Sequence, residues 1–187
     1  MVGETPYSLL KELEDVQFKD RPPIHLWDPQ KVSNLGLIIS DDGSWSYLGS
    51  RITRHRIARL FSTLLRLEND GKYYLITPQE KYLIEVSDAP FIAILMQEVG
   101  NGRHQSVFFT TNMGDQITVD EEHPLRLKID LNSGEPSPYV MVRDGLEAKL
   151  SRNVYYQLME LLVKEDNRIG VWSENVFFEL LESSACC

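Results

Sequence analysis

The chain has 187 residues, 42% hydrophobic and 25% charged, with a net charge of −9 at pH 7. Such a composition describes a soluble globular protein of one or two small domains, and the acidic balance disfavours general binding to nucleic acid or to an anionic membrane. No apolar run is long enough to span a bilayer, no basic-then-apolar leader opens the sequence, and adjacent Cys186 and Cys187 cannot staple a fold, so a cytoplasmic protein is expected.

In chain order, Leu9, Leu10, Leu13 and Val16 predict a short amphipathic helix over residues 7–18, ended by Arg21-Pro22-Pro23. Residues 24–29 read as extended. Strands over 35–39 and 44–48 flank Asp41-Asp42-Gly43, a hairpin turn signal. A capped helix follows over 54–68, with Ile57, Leu60, Phe61 and Leu64 as its apolar stripe, stopped by Asn69-Asp70-Gly71. Residues 72–76 and 82–86 read as strands. From residue 91 the pattern is mostly β. Strands over 91–99 and 103–111 flank Gly100-Asn101-Gly102, and others run over 116–119, 125–131, 139–143 and 146–150. A second capped helix is predicted over 152–165, with Val154, Tyr155, Leu158 and Leu162 inward, then strands over 169–172 and 176–180.

The two helices look like copies at an offset of 98 residues. Arg54 matches Arg152, Leu60 matches Leu158, and Leu64 matches Leu162, while Arg51-Ile52-Thr53 answers Lys149-Leu150-Ser151 in type. Thr53 and Ser151 are expected N-caps. A duplicated unit follows, strands plus one main helix in each half, with the boundary near Asp88-Ala89-Pro90. The expected domains are 1–88 and 89–187.

The four histidines are scattered without metal-ligand spacing, and neither a nucleophile elbow nor a phosphate loop is present. One constellation has a physical edge. Residues 51–66 hold Arg51, Arg54, Arg56, Arg59 and Arg66 and no acid. Cations crowd a helix N-terminus, where they oppose the helix dipole and no capping-box acid stands. An anion there would resolve the conflict through N–H groups and guanidinium forks. Acids from elsewhere in the chain would resolve it equally. Trp27, Trp45, Tyr47, Tyr73, Tyr74, Trp172, Phe177 and Phe178 are able to stack on a base but also fit the core of curved sheets.

The segments PPIHLWDP (22–29), WSYLGSRITRHRIARLFSTLLR (45–66), YYLITPQEKYLIEVSDAPFIA (73–93) and YVMVRDGLEAKLSRNVYYQLMELL (139–162) resemble a bacterial family, the domain of unknown function numbered 1285. The resemblance implies a duplicated α+β core, each domain a curved antiparallel sheet around one helix. It further implies a C-terminal domain resembling pleckstrin-homology-like folds, a ligand site at the domain interface for a nucleotide-like compound, and a signalling role. Arg54, Pro78, Glu80, Lys81, Asp88, Ala89, Pro90, Arg143, Gly145, Glu147, Ala148 and Arg152 sit in the matching motifs. Arg51 stands where the family pattern has proline, Gln79 where it has an aliphatic residue, and Lys149 where it has arginine.

The expectation is therefore a binding protein rather than an enzyme, with no catalytic residue, cofactor or metal assigned. Arg54, Arg56, Lys81, Arg143 and Arg152 are the candidate ligand-binding residues for an anionic small molecule or nucleotide. A protein-interaction adaptor and a hydrolase of a phosphorylated substrate are the alternatives.

Overall fold

A computed structural model of the chain describes residues 21–129 and 134–182. The helix expected over residues 7–18 and the Cys186-Cys187 pair lie outside them. The chain divides into two compact units, Met1–Asp88 and Ala89–Cys187.

In the first unit, β1 (Lys31–Ile39) buries Leu35, Leu37 and Ile39 on one face, as strict alternation requires. It turns into β2 (Trp45–Tyr47) where the Asp42 carboxylate accepts the Ser44 N–H at 2.8 Å, and β3 (Ser50–Arg51) completes a meander. Helix α1 (His55–Thr63) leads to a second meander of β4 (Leu65–Leu67), β5 (Tyr73–Ile76) and β6 (Glu80–Val86). The six strands form one sheet in the order β3-β2-β1-β6-β5-β4, joined at its centre by the parallel pair β1–β6. Helix α1 thus connects the two edge strands. A flat sheet of this width spans about 24 Å, whereas nine helical residues rise about 14 Å. The residues on either side of the helix make up the difference, and the helix buries Ala58 and Phe61, the latter tilted against Trp45 at 6.1 Å.

The second unit opens with a meander that the first unit lacks: β7 (Phe91–Val99), β8 (Ser106–Thr111) and β9 (Gln116–Thr118). The shared order then returns as β10 (Leu125–Ile129), β11 (Pro136–Arg143), β12 (Leu146–Leu150), α2 (Arg152–Glu160), β13 (Val163–Glu165), β14 (Arg168–Ser173) and β15 (Val176–Glu182). The main sheet runs β10-β11-β12-β7-β8-β9, and β13-β14-β15 forms a sheet of its own. Meander, helix, meander is therefore the repeated unit. Its first and last strands pair in parallel in the first copy, whereas in the second β15 lies beside β10 without a ladder. Val154 and Leu158 carry α2 into the core.

Three expectations change. The sheets are mixed, not antiparallel throughout, because β1–β6 and β7–β12 run parallel. Such pairs need a long connection, and in each case a whole set of intervening elements supplies it. Both helices end sooner than periodicity suggests. Leu65 and Leu67 pair with Leu75 and Tyr73, and Val163 pairs with Gly170, so the ends of the helical patterns are short edge strands. Residues 24–29 are not wholly extended. Ile24–Leu26 form a 3-10 turn behind Pro22-Pro23, held where the Arg66 guanidinium donates to the carbonyls of Ile24 at 2.9 Å and Trp27 at 2.8 Å.

Candidate functional site

The arginine-rich segment of the first unit lies at the surface. Arg54 is the N-cap residue of α1, one position later than the expected Thr53, and its side chain makes no capping bond. Ser151 does stand at the N-cap of α2, yet its hydroxyl makes no capping bond either. No acid occupies the first turn of α1. Arg54, Arg56 and Arg59 are exposed, and among the described residues none of their guanidinium groups meets a carboxylate. Arg51 reaches Asp42 only at 3.9 Å, with both side chains largely in water, where such a pair contributes little. The α1 start therefore presents unpaired cations beside backbone N–H groups, an arrangement that attracts anions and lowers the helix's own stability.

The other three candidate residues have different surroundings. Lys81, on β6, donates to Glu68 at 2.8 Å and lies 5.0 Å over the Tyr74 ring. Arg66 binds the other Glu68 oxygen, so one carboxylate gathers two cations. The Lys81 ammonium and the Arg66 guanidinium hold the Glu68 carboxyl below its ordinary range. Arg143, at the end of β11, is mostly buried, 3.4 Å from Asp115 and 4.9 Å over the Phe91 ring. Arg152 opens α2, is exposed, and donates to the Tyr156 hydroxyl at 3.3 Å, one helical turn on, which raises its pKa further. Arg54 and Arg56 are thus exposed without a carboxylate partner among the described residues, Lys81 and Arg143 each hold a carboxylate, and Arg152 holds a tyrosine.

Two clusters in the second unit went unassigned in the sequence. Against the β13–β15 sheet, Arg103 of the Gly102–His104 turn lies over Trp172 at 5.0 Å, Trp172 is tilted against Phe177 at 5.2 Å, and Arg168 lies over Phe177 at 5.3 Å. Glu165 pins one end by accepting from Trp172 Nε1 at 3.2 Å and from Arg103 at 2.9 Å. A side chain at Gly170 would put Cβ 2.9 Å from the Phe177 ring and 2.1 Å from the Phe178 carbonyl, so only glycine seats that ring. The second cluster centres on Ser173, which is fully buried. Its hydroxyl accepts from the Val107 N–H at 3.0 Å and donates to the Val119 carbonyl at 2.6 Å. A polar residue on the inward phase of Val171-Trp172-Ser173 was the available signal. Among the described residues no three acidic, His or Cys side chains gather as a metal-ligand group, and no helix is long and apolar enough to cross a membrane.

Two curled α+β units, built on a repeated meander–helix–meander order, define the class of protein. The model of the N-terminal domain of the DUF1285 family, a domain of unknown function, matches residues 22–89, and that of its C-terminal domain matches residues 90–180. The chain belongs to the DUF1285 family. A crystal structure of a DUF1285 family protein from Silicibacter pomeroyi DSS-3 is similar at 41% identity and a TM-score of 0.87, over 94% of this chain and 96% of that one. Another, from Shewanella baltica OS155, is similar at 28% identity and a TM-score of 0.52, over 67% of this chain and 91% of that one. No curated protein matches the chain.

Proposed function

We propose that the protein is a non-enzymatic binding protein with a signalling role, and that it takes a small anionic, nucleotide-like ligand on Arg54 and Arg56. One observation carries the reading. Exposed arginines crowd the start of α1 with no acid in its first turn, no side-chain cap and no carboxylate partner among the described residues. Cations at that end cost a few tenths of a kcal/mol each, a cost that a bound phosphate or carboxylate would reverse. Guanidinium forks suit phosphate oxygens through paired hydrogen bonds. Lys81 and Arg143 are less suited, because each already holds a carboxylate. Arg152 is the weaker counterpart on the second copy.

Isothermal titration calorimetry with inorganic phosphate and a nucleotide panel tests this. At least one anion is expected to bind more tightly than millimolar, and Arg54→Ala to weaken it by about tenfold, the loss of one charge-assisted contact. Uniformly weaker binding, or an unchanged affinity in Arg54→Ala, rejects the proposal.

A further inference from the structure

We infer that the β2–β3 hairpin and the solvent face of α1 form a docking surface for a short acidic segment of a partner protein that carries an apolar anchor. The inference rests on the same arginines as the anion-binding reading and adds Leu48.

Leu48 and Gly49 are the two turn residues between Tyr47 of β2 and Ser50 of β3. Both have positive φ, +45° and +80°, as a tight hairpin of this hand requires. Asparagine or glycine ordinarily fills the first of these positions, since a branched apolar side chain is disfavoured there. Leu48 is also 71% exposed. One methyl packs over Gly36 of β1, where a Cβ would come within 2.6 Å, but most of the side chain remains in water. A leucine thus projects at a hairpin tip where neither the turn nor burial favours it.

Its surroundings set the partner's chemistry. From residue 43 through residue 67 the chain contains no acid, although its net charge is −9. Arg51 pairs with Ser46 across the same hairpin, and Arg54, Arg56 and Arg59 follow on α1. Arg54 lies six positions after Leu48, at most about 20 Å along extended chain. An extended peptide of about six to eight residues covers that span, placing an apolar side chain on Leu48 and carboxylates on the arginines. A short peptide feels only charges within about 8–10 Å. An anionic membrane or a nucleic acid faces the field of the whole acidic molecule and is repelled. Charge complementarity therefore favours the peptide.

The test uses the full chain and fluorescein-labelled peptides read by anisotropy: alternating Glu-Leu, all-Glu and alternating Lys-Leu. The Glu-Leu peptide is expected to bind, all-Glu about tenfold more weakly, and Lys-Leu not at all. Leu48→Asn is expected to weaken Glu-Leu binding by about tenfold or more, the value of one buried leucine. It restores an Asn-Gly turn, so its melting temperature should not fall, which separates lost docking from misfolding. Arg54→Ala should weaken both acidic peptides. The inference fails if Glu-Leu does not bind, if all-Glu binds equally well, or if Leu48→Asn binds as the parent does. It also fails if vesicles of anionic phospholipid bind while the peptide does not. Inorganic phosphate offers Leu48 no apolar contact, so phosphate binding in Leu48→Asn judges the small-anion reading separately.

Discussion

The Ser173 hydroxyl stands between two strands of the second unit. Val119 donates its N–H to the Val107 carbonyl at 2.9 Å, half of the exchange that an antiparallel pair makes. Ser173 Oγ bridges the other half, between the Val107 N–H and the Val119 carbonyl. Neighbouring bonds fasten the same hairpin tip: Glu174 N–H to the Gln105 carbonyl at 3.0 Å, and Gln105 Nε2 to the Trp172 carbonyl at 2.8 Å. The β14–β15 hairpin is thereby stitched to the main sheet without a ladder of its own. Ser173→Ala removes the bridge and leaves a buried donor and acceptor, each of which resists being left unpaired. The expected cost is about 1–3 kcal/mol, read as a lower urea midpoint at unchanged slope. A change below about 0.5 kcal/mol would mean that the strands close directly and that the bridge is dispensable. The strand expected over 169–172 stops short of Ser173, whose role could not be read locally because its partners lie 66 and 54 residues away.

At the scale of elements, alternation and turn chemistry placed the strands well. Both glycine-marked hairpins formed, since their signals are local, although β8 starts at Ser106 and not at residue 103, because Gly102–His104 form a 3-10 turn. Helix ends were less legible. Leucines spaced to continue a helical stripe serve equally as the inward residues of a three-residue strand, and only the partner strand decides. The capping reading of Thr53 failed for a similar reason: the chain leaves β3, and Ile52 still donates to the Trp45 carbonyl at 2.8 Å, so the cap falls one residue later, on Arg54, and the helix begins at His55. That makes Arg54 a point where stability and binding oppose each other. Arg54→Asp places an acceptor at an extended N-cap and a negative charge at the positive end of α1. It is expected to stabilise the protein by about 1 kcal/mol and to raise its melting temperature by a few degrees. The same change should abolish anion and acidic-peptide binding. A destabilised Arg54→Asp protein would show that the arginine has a structural task in the fold. As for the site, the acid-free arginine run was plain in the sequence, whereas the pairing of Lys81 with Glu68 and of Arg143 with Asp115 needed the sheet to bring them together.

Charge acts on the whole molecule as well. At pH 7 the net charge is −9, and the isoelectric point is about 4.9, so lowering the pH towards that value relieves self-repulsion of the compact state. Glu68 works in the opposite direction at the acid end. Its carboxyl is held below the ordinary value of 4.5 by Lys81 and Arg66, so the folded state binds this proton less readily than the unfolded chain. The stability this contributes is fully present above the unfolded value and is lost as the pH falls through the folded one. These two trends place the maximum of stability on the slightly acidic side of neutrality, with a decline below about pH 4.5. Glu68→Gln isolates the second trend. The variant should melt lower than the parent at neutral pH, because Lys81 and Arg66 lose their shared carboxylate. The gap should narrow as the pH falls below about 4.5, where Glu68 of the unfolded parent takes up its proton while the folded state resists doing so. Melting temperatures of both proteins across pH 3 to 8, at one ionic strength, give the comparison. Curves that stay parallel through the acid range would show that Glu68 does not link proton uptake to folding, and would leave the acid-side decline to the remaining carboxylates.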